Sequence, residues 1–254
     1  MVEGNEHIKM SHHKVEARNL SYTYPDGNCA LRSIDFTIHH GQSTGILGSN
    51  GAGKSTLLLL LMGVMQPTDG EILIGDIKLT PKTVPDIRKR LGLVFQNADD
   101  QLFMNTIYGD VAFGPRNMNL DEETVEKRVN EALEKVDILH LKDRAPYRCS
   151  GGEKRAASIA SVLSMQPDVL ILDEPTANLD PKARRQAIEL LRGFTHTKLI
   201  ATHDIDMVYD ICERTIIIQD GRIMADGNTR DIVTDAALMD RYGLEVPLCK
   251  QKSM

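Results

Sequence analysis

The chain has 254 residues, a formal net charge of −6 at pH 7 and a sequence pI of about 5.8. Hydrophobic residues make up 41% of it and charged residues 26%, a composition typical of a globular protein with a buried core. The acidic balance argues against a nucleic-acid partner, because phosphate backbones are bound by basic surfaces.

The cysteines and the apolar runs exclude further classes of protein. Cys29, Cys149, Cys212 and Cys249 are far apart and form no CxxC pair, so the sequence predicts neither a zinc site nor a disulfide framework. The most apolar run covers residues 57–65, about half the length that spans a bilayer. We expect it to be a buried helix.

Strands and helices alternate along the chain. The sequence predicts strands at 15–24 and 35–38, a short apolar strand at Ser43–Leu47 and a helix at 54–65. Acidic residues open an amphipathic helix at 121–136, whose apolar positions are Val125, Val129, Leu133 and Val136. Buried strands are predicted at 169–172, 198–201 and 215–218, with a hairpin turn at 219–222. Asp180 and Pro181 are expected to open the helix between the first two of these strands.

This alternation predicts an α/β fold. Apolar strands separated by helices favour a mostly parallel sheet that is covered on both faces. The alternating strands near the N-terminus suggest an added antiparallel part. Residues 96–148 are mostly helical in pattern, so we expect a single domain over 1–254 in which a helical subdomain, about 97–165, is inserted.

A phosphate-binding loop is the strongest motif. The stretch GSNGAGKST at 48–56 follows a predicted strand, opens a helix and meets the pattern G-x-x-x-x-G-K-[ST]. Glycines let backbone N–H groups and a helix N-terminus face the phosphates. The predicted ATP-binding residues are Gly48, Ser49, Asn50, Gly51, Ala52, Gly53, Lys54, Ser55 and Thr56. Lys54 suits the β- and γ-phosphates, Ser55 suits Mg²⁺ and Thr56 suits the α-phosphate.

Two acids end a later apolar strand, in VLILDEP at 169–175. Burying two adjacent carboxylates at the end of an apolar strand costs free energy, so we expect them to have a function at the exposed end of the strand. Asp173 suits a water-mediated partner of Mg²⁺. Glu174 suits the group that orients or deprotonates the attacking water.

A third motif, CSGGEKR at 149–155, lies between the other two and resembles the signature LSGGQ. With all three in this order, the chain resembles ATP-binding-cassette (ABC) ATPases along nearly its whole length. Cys149 and Glu153 depart from the usual leucine and glutamine. The resemblance implies that the signature closes over ATP held by a second subunit, through Ser150, Gly151, Gly152 and Glu153.

The resemblance assigns four more positions. Tyr24 in YTYPDG matches the aromatic residue that stacks on adenine, and Gln96 matches the glutamine that senses Mg²⁺ and the membrane partner. Asp180 matches the acid of the loop through which paired subunits communicate. His203 matches the histidine that contacts the γ-phosphate and the attacking water. The implied catalytic set is therefore Lys54, Gln96, Glu174 and His203.

One phosphate-binding loop and one signature imply a head-to-tail dimer. In the family, two ATP molecules with Mg²⁺ are sandwiched between two subunits, and hydrolysis reopens the dimer. Because every catalytic position is intact in this chain, we expect a homodimer with two working sites.

The signature also has a local interpretation. Ser150 begins the pattern Ser-x-x-Glu, which predicts a capping box at the start of a helix. Glu153 is then expected to accept the Ser150 N–H and to suit the helix dipole. Lys154 and Arg155 are expected to offset its charge near ATP. Cys149 is expected to change packing without removing a contact.

A narrower resemblance covers residues 93–120. LVFQNADDQLFMNTIYGDVAFGPRNMNL is similar to energy-coupling-factor transporters, especially their cobalt and nickel importers. This implies an ATPase at the cytoplasmic face of the membrane, with a transmembrane coupling subunit and a substrate-binding membrane subunit as partners. Vitamin-type or other ABC transporters are the alternative, and a soluble non-transport ABC ATPase is a third.

Two features of this resemblance stay open. Phe103 and Phe113 either receive helices of the coupling subunit near Gln96 or belong to the core. His7, His12 and His13 suggest a metal-handling tail, but we attribute them to a polar terminus and expect the transported metal to pass through the membrane subunits.

Overall fold

A computed structural model of the chain describes residues 14–251, so His7, His12 and His13 lie outside the described residues. Contacts divide this part of the chain into two units. The first combines residues 14–88 with residues 196–251, and the second is the segment between them, Lys89–Thr195.

The elements follow one another in chain order. Residues 14–88 form β1 (Val15–Thr23), β2 (Cys29–Ile38), β3 (Ser43–Leu47), α1 (Lys54–Leu61), β4 (Asp69–Ile74), β5 (Ile77–Lys78) and α2 (Val84–Ile87). The second unit forms β6 (Leu91–Val94), α3 (Ile107–Asn117), α4 (Glu122–Lys135), α5 (Gly151–Leu163), β7 (Val169–Asp173) and α6 (Pro181–Arg192). It also contains three short 3-10 turns, Ala98–Asp100, Leu139–Leu141 and Pro146–Arg148. Residues 196–251 form β8 (Thr197–Ala201), α7 (Ile205–Ile211), β9 (Arg214–Gln219), β10 (Arg222–Asn228), α8 (Thr229–Val233), α9 (Ala236–Arg241) and α10 (Leu248–Gln251).

The first unit begins with an antiparallel sheet in the order β2-β1-β4-β5. Strand β1 pairs antiparallel with β2 and with β4, and both pairings contain register shifts. Alternate residues of these strands, such as Val15, Leu31 and Ile74, are almost fully buried. The antiparallel N-terminal part expected from the alternating sequence is therefore present.

A second sheet in the first unit has β3 between two parallel neighbours, β8 and β9. Every residue of β3 and β8 is buried, as expected for strands covered on both faces. Strand β10 pairs antiparallel with β9 through Arg222 and Gln219, which confirms the predicted hairpin turn. This sheet presents the carboxyl ends of β3 and β8 at one edge.

Helix α1 is shorter than the predicted helix at 54–65. It ends at Leu61, and Gly63 follows with a φ of 63°. The Gly63 N–H donates to Leu60 O and the Val64 N–H donates to Leu59 O, at 3.0 Å each. This pair of bonds is a Schellman ending, which glycine permits at the left-handed position. The apolar run continues to residue 65, but the helical conformation ends at Leu61.

The second unit pairs two parallel strands, β6 and β7, and carries four helices. Helix α4 buries Val125, Val129 and Leu133 completely, as its periodicity predicts. The Asp121 carboxylate caps this helix by accepting the Thr124 N–H at 2.9 Å. Parallel strands, an antiparallel N-terminal sheet and flanking helices together confirm the predicted α/β class.

Over residues 14–251, none of the helices combines the length and the apolar composition that crossing a bilayer requires.

Candidate functional site

The phosphate-binding loop joins β3 to α1 in the first unit, and its geometry fits a phosphate chain. A Cβ at Gly48 would collide with the carbonyl oxygen of Ile218, and Gly53 has a φ of 105° with Ala30 O only 2.6 Å from a Cβ placed there. Only glycine fits both positions without a shift of the backbone. The loop therefore places backbone N–H groups and the start of an eight-residue helix where an anion can bind.

The Lys54 side chain lies inside this loop. It is 7% exposed, and Nζ donates to Gly48 O at 2.7 Å and to Ser49 O at 3.1 Å. These carbonyl bonds hold the ammonium group in the cradle, where a β- or γ-phosphate is the stronger acceptor. Ser55 is exposed at the first turn of α1, which suits a ligand of Mg²⁺.

Tyr24 lies against the same helix. Its hydroxyl is hydrogen-bonded to the Thr56 hydroxyl at 2.9 Å, and its ring meets Tyr22 edge to face with the centroids 4.9 Å apart. Thr56 is buried, and we expected it to contact the α-phosphate. In this structure its hydroxyl is paired with that of Tyr24, so the residue expected at the adenine and the residue expected at the α-phosphate are joined directly.

His203 emerges at the same edge of the sheet as the loop. Parallel strands β3 and β8 pair Ile46 with Ala201, and the Thr202 N–H donates to Ile46 O at 3.0 Å. Gly48 and His203 each follow these paired residues by two positions. The Thr202 hydroxyl accepts the Asp204 N–H at 3.0 Å and so shapes the turn that leaves His203 exposed. The first unit therefore brings the phosphate-binding loop, Tyr24 and His203 together.

The second unit brings the two acids beside Gln96. Strands β6 and β7 pair Val94 with Leu172, so Gln96 and the Asp173–Glu174 pair leave the sheet at one edge. Gln96 is exposed, whereas Glu174 is only 6% exposed. Glu174 has a φ of 44°, a left-handed conformation that is costly for a residue with a side chain. Such strain is typical of functional positions.

The signature forms the predicted capping box at the start of α5. The Ser150 N–H donates to Glu153 Oε2 at 2.7 Å, and the Ser150 hydroxyl accepts the Glu153 N–H at 3.3 Å. The backbone hydrogen bond from Ser150 is the main cause that lowers the pKa of Glu153. Ser150 and Gly151 are exposed at this helix start.

The prediction that Lys154 and Arg155 offset the charge of Glu153 is wrong. Lys154 Nζ bonds to Asp99 at 2.6 Å, and the Arg155 guanidinium is turned to backbone carbonyls of Phe95 and Gln96. Arg144 instead approaches Glu153, with Nη1 to Oε1 at 3.6 Å. The reason is helical geometry, since residues one and two positions further along α5 point to other faces.

The second glycine of the signature has a packing role. A Cβ at Gly152 would lie 2.9 Å from the Ala183 Cβ, so α5 and α6 approach closely where both begin. Asp180 caps α6 as predicted, and its carboxylate accepts the N–H groups of Lys182 and Ala183 at 2.9 Å. Cys149, the first residue of the signature, is half-buried, and burial raises the pKa of its thiol.

Phe103 and Phe113 are surface residues. Phe103 is 63% exposed, Phe113 is 41% exposed, and their rings meet edge to face with the centroids 4.9 Å apart. Phe95 and Met104, at 40% and 37%, are also exposed. This exposure excludes core packing for the two side chains.

Sequence analysis missed the carboxylate that shapes this surface. Asp110 is 4% exposed, and its Oδ1 accepts the N–H groups of Phe103 and Met104 at 2.8 and 3.0 Å. Burial raises the pKa of this carboxyl group. The sequence does contain one sign of this role: Asp110 directly precedes the apolar residues of DVAF. A carboxylate buried beside apolar residues requires a hydrogen-bond partner.

Comparison with known proteins agrees with these observations. The sequence pattern of the family described as ABC transporter matches residues 31–177. A putative ABC transporter ATP-binding protein of Geobacter sulfurreducens is 56% identical, over 95% of this chain and 97% of that protein. The energy-coupling factor transporter ATP-binding protein EcfA of Methanothermobacter thermautotrophicus is 42% identical, over 92% of this chain and 76% of that protein.

Solved structures share the fold. That of cbiO1 from Clostridium perfringens, described as part of the ABC transporter complex cbiONQ, has a TM-score of 0.81 and 38% identity and covers 94% of this chain and 98% of that one. The dimeric ATP-binding cassette MJ0796, bound to ADP and Pi after hydrolysis, has a TM-score of 0.77 and 28% identity and covers 85% and 99%. The chain therefore belongs to the ABC transporter family as an ATPase subunit, and it is related to the ATP-binding proteins of energy-coupling-factor transporters.

Proposed function

We propose that this protein is the ATPase of an energy-coupling-factor importer of cobalt or nickel ions, bound at the cytoplasmic face of the membrane. The observation that carries the proposal is the exposure of Phe103 and Phe113, which lie within the segment 93–120 that is similar to those of cobalt and nickel importers. The likeness to cbiO1, a component of the complex cbiONQ, supports the same assignment.

The proposed catalytic step uses the residues that the resemblance to ABC ATPases assigns. Ser55, Gln96 and, through water, Asp173 would hold Mg²⁺, which would supply positive charge to neutralise the phosphates. Lys54 binds these phosphates, and Glu174 orients the attacking water and accepts its proton. His203 positions the γ-phosphate and this water, while Tyr24 stacks on the adenine.

Two subunits are needed for this chemistry. We propose a homodimer in which Ser150, Gly151, Gly152 and Glu153 complete the site of the opposite subunit, and in which Asp180 communicates between the two sites. The dimeric cassette MJ0796 supports this arrangement. We also propose that residues 1–254 form one ABC ATPase domain with a helical part inserted at about 97–165.

The surface formed by Phe95, Phe103, Met104 and Phe113 is the proposed docking face for the transmembrane coupling subunit. These side chains are exposed within one unit, and Phe95 directly precedes Gln96 in the chain. A helix of the coupling subunit seated on them would act on Gln96 through the loop that carries it. The substrate-binding membrane subunit would carry the metal, and the ATPase would energise its transport.

Reconstitution with the membrane proteins encoded beside its gene tests the proposal. Proteoliposomes with ATP inside or outside are assayed for uptake of Co²⁺ and Ni²⁺, with the Glu174→Gln variant as the matched control. ATP-dependent metal uptake that this variant abolishes is the expected result. Uptake of a vitamin but of neither metal would contradict the assignment of cobalt or nickel as cargo and favour a vitamin transporter. Absence of any membrane partner would favour a non-transport ATPase.

A further inference from the structure

The loop that carries Gln96 is fastened to the signature helix by one buried guanidinium. Arg155 of α5 donates from Nη1 to Phe95 O at 2.7 Å and from Nη2 to Gln96 O at 2.5 Å. The side chain is only 4% exposed. Two neighbouring carbonyls match the fork of donors that arginine presents, whereas a lysine ammonium is a single point.

Two further contacts hold the same loop. Gln101 Nε2 donates to Ser158 O at 2.7 Å and to Ser161 Oγ at 2.9 Å, while its Oε1 accepts the Phe95 N–H at 3.0 Å. Lys154 pairs with Asp99 at 2.6 Å, but Asp99 is 62% exposed. Exposed ion pairs contribute little, so the contacts of buried Arg155 and half-buried Gln101 dominate the attachment.

Arg155 also lies within electrostatic range of Asp173, the last residue of β7. Burial lowers the pKa of its guanidinium, and the negative charge of Asp173 acts in the opposite direction. By hydrogen bonds, the same side chain connects two parts of the second unit, the signature helix and the backbone of Phe95 and Gln96. The exposed Gln96 side chain takes its direction from a backbone that Arg155 fixes.

We propose that Arg155 is a positioning residue, which holds Gln96 in the orientation that Mg²⁺ and the membrane partner require and transmits movement of the signature helix to it. This inference rests on the proposed role of Gln96. Arg155 acts on Gln96 only through the loop at residues 95–101 and contacts neither the nucleotide nor the metal. Sequence analysis assigned it a different role, because a loop–helix contact of this kind leaves no motif.

Hydrogen exchange of the full chain tests the attachment without nucleotide turnover. The N–H groups of Phe95, Asp100, Gln101 and Leu102 are hydrogen-bonded within this loop. In Arg155→Ala, we expect the exchange of the peptide spanning 95–102 to rise about tenfold or more, with a smaller rise in Arg155→Lys. The peptide spanning α4 is expected to exchange as in the wild type, which shows that the unit is folded.

Arg116→Ala is the matched control, because Arg116 makes a two-pronged contact to Glu122 away from this loop. It is expected to leave exchange at 95–102 unchanged. Exchange in Arg155→Ala within about twofold of the wild type would overturn the proposal. An equal rise in Arg116→Ala would also overturn it, since the effect would then be general loosening of the unit.

A double-mutant cycle tests the route through Gln96. ATPase activity of the wild type, Arg155→Lys, Gln96→Ala and the double variant is measured against Mg²⁺ and ATP. We expect Arg155→Lys to lower kcat about tenfold and to raise the Mg²⁺ requirement, with KM for ATP within about twofold. In the Gln96→Ala background, the same change should cost less than about twofold, since the two residues act in series.

Additive losses would overturn the proposal, because Arg155 would then act elsewhere. A Gln96→Ala variant with unaltered Mg²⁺ dependence would contradict the role of Gln96 in the proposed function. The exchange measurement still decides whether Arg155 holds the loop, so failure of the proposed function and failure of this inference are distinguished.

Discussion

The buried carboxylate of Asp110 gives a prediction whose size follows from its contacts. Its Oδ1 accepts two backbone N–H groups, from Phe103 and Met104, while its Oδ2 is buried with no hydrogen-bond partner among residues 14–251. Asp110→Ala leaves both N–H groups unmet and is expected to destabilise the protein by about 2–4 kcal/mol. Asp110→Asn keeps an accepting oxygen and removes the buried charge, so the change is expected to stay within about 1 kcal/mol.

The same site predicts a pH dependence with a definite sign. Burial raises the pKa of Asp110 above its usual value, so the group contributes stability that is present at low pH and lost as pH rises through the folded-state pKa. The wild type should therefore gain stability relative to Asp110→Asn as pH falls toward about 4, the ordinary range of an aspartate. Urea unfolding of both proteins at a series of pH values, followed by circular dichroism, measures this difference.

Asp121→Asn is the control of opposite sign. The hydrogen bond from the Thr124 N–H is the main cause that lowers the pKa of Asp121. The contribution of Asp121 to stability is therefore present at neutral pH and lost as pH falls. Relative to its asparagine variant, the wild type should then lose stability on acidification. If Asp110→Asn were as unstable as Asp110→Ala, or if its difference from the wild type were the same at every pH, the reasoning on Asp110 would be refuted.

Three predictions concern the nucleotide site. Glu174→Gln is expected to retain ATP binding and to slow hydrolysis about a thousandfold, or about 4 kcal/mol of barrier, in a coupled ATPase assay; near wild-type turnover would remove Glu174 from its proposed role. Tyr24→Phe loses the hydrogen bond to Thr56 but keeps the ring, so nucleotide affinity measured by calorimetry should change less than about threefold. Tyr24→Ala should lower this affinity about tenfold, because base stacking is lost. Glu153→Gln keeps an acceptor for the Ser150 N–H, so ATPase activity should stay within about threefold; a large increase would mean that this signature is impaired.

Motif-bearing segments could be predicted well because their backbone requirements are local. The loop at 48–56, the capping box at Ser150 and the cap at Asp180 depend on residue types at fixed spacing, and each has the predicted local structure. The buried strands β3, β7, β8 and β9 can be predicted because each contains a run of apolar residues.

Other elements could not be predicted from local pattern. Strand β2 begins at Cys29, six residues before the alternating stretch, because it pairs with β1 through a register that contains bulges. Strand β6 has only four residues and depends on its pairing with β7. The contacts of Arg155 and Asp110 are long-range or buried polar contacts, which sequence spacing does not encode. The roles assigned to the site residues by resemblance stay predictions.

The close approach of Gly152 and Ala183 restricts the order in which these positions can change during evolution. With alanine at 183, a methyl group at 152 would lie 2.9 Å from its side chain, closer than two side-chain carbons pack without a shift. A lineage can therefore reach alanine at 152 most easily after residue 183 has become glycine. Enlargement of residue 183 in turn locks glycine at 152, and with it the form of the helix start that the signature uses. The residues tolerated at two positions 31 apart in the sequence thus depend on each other.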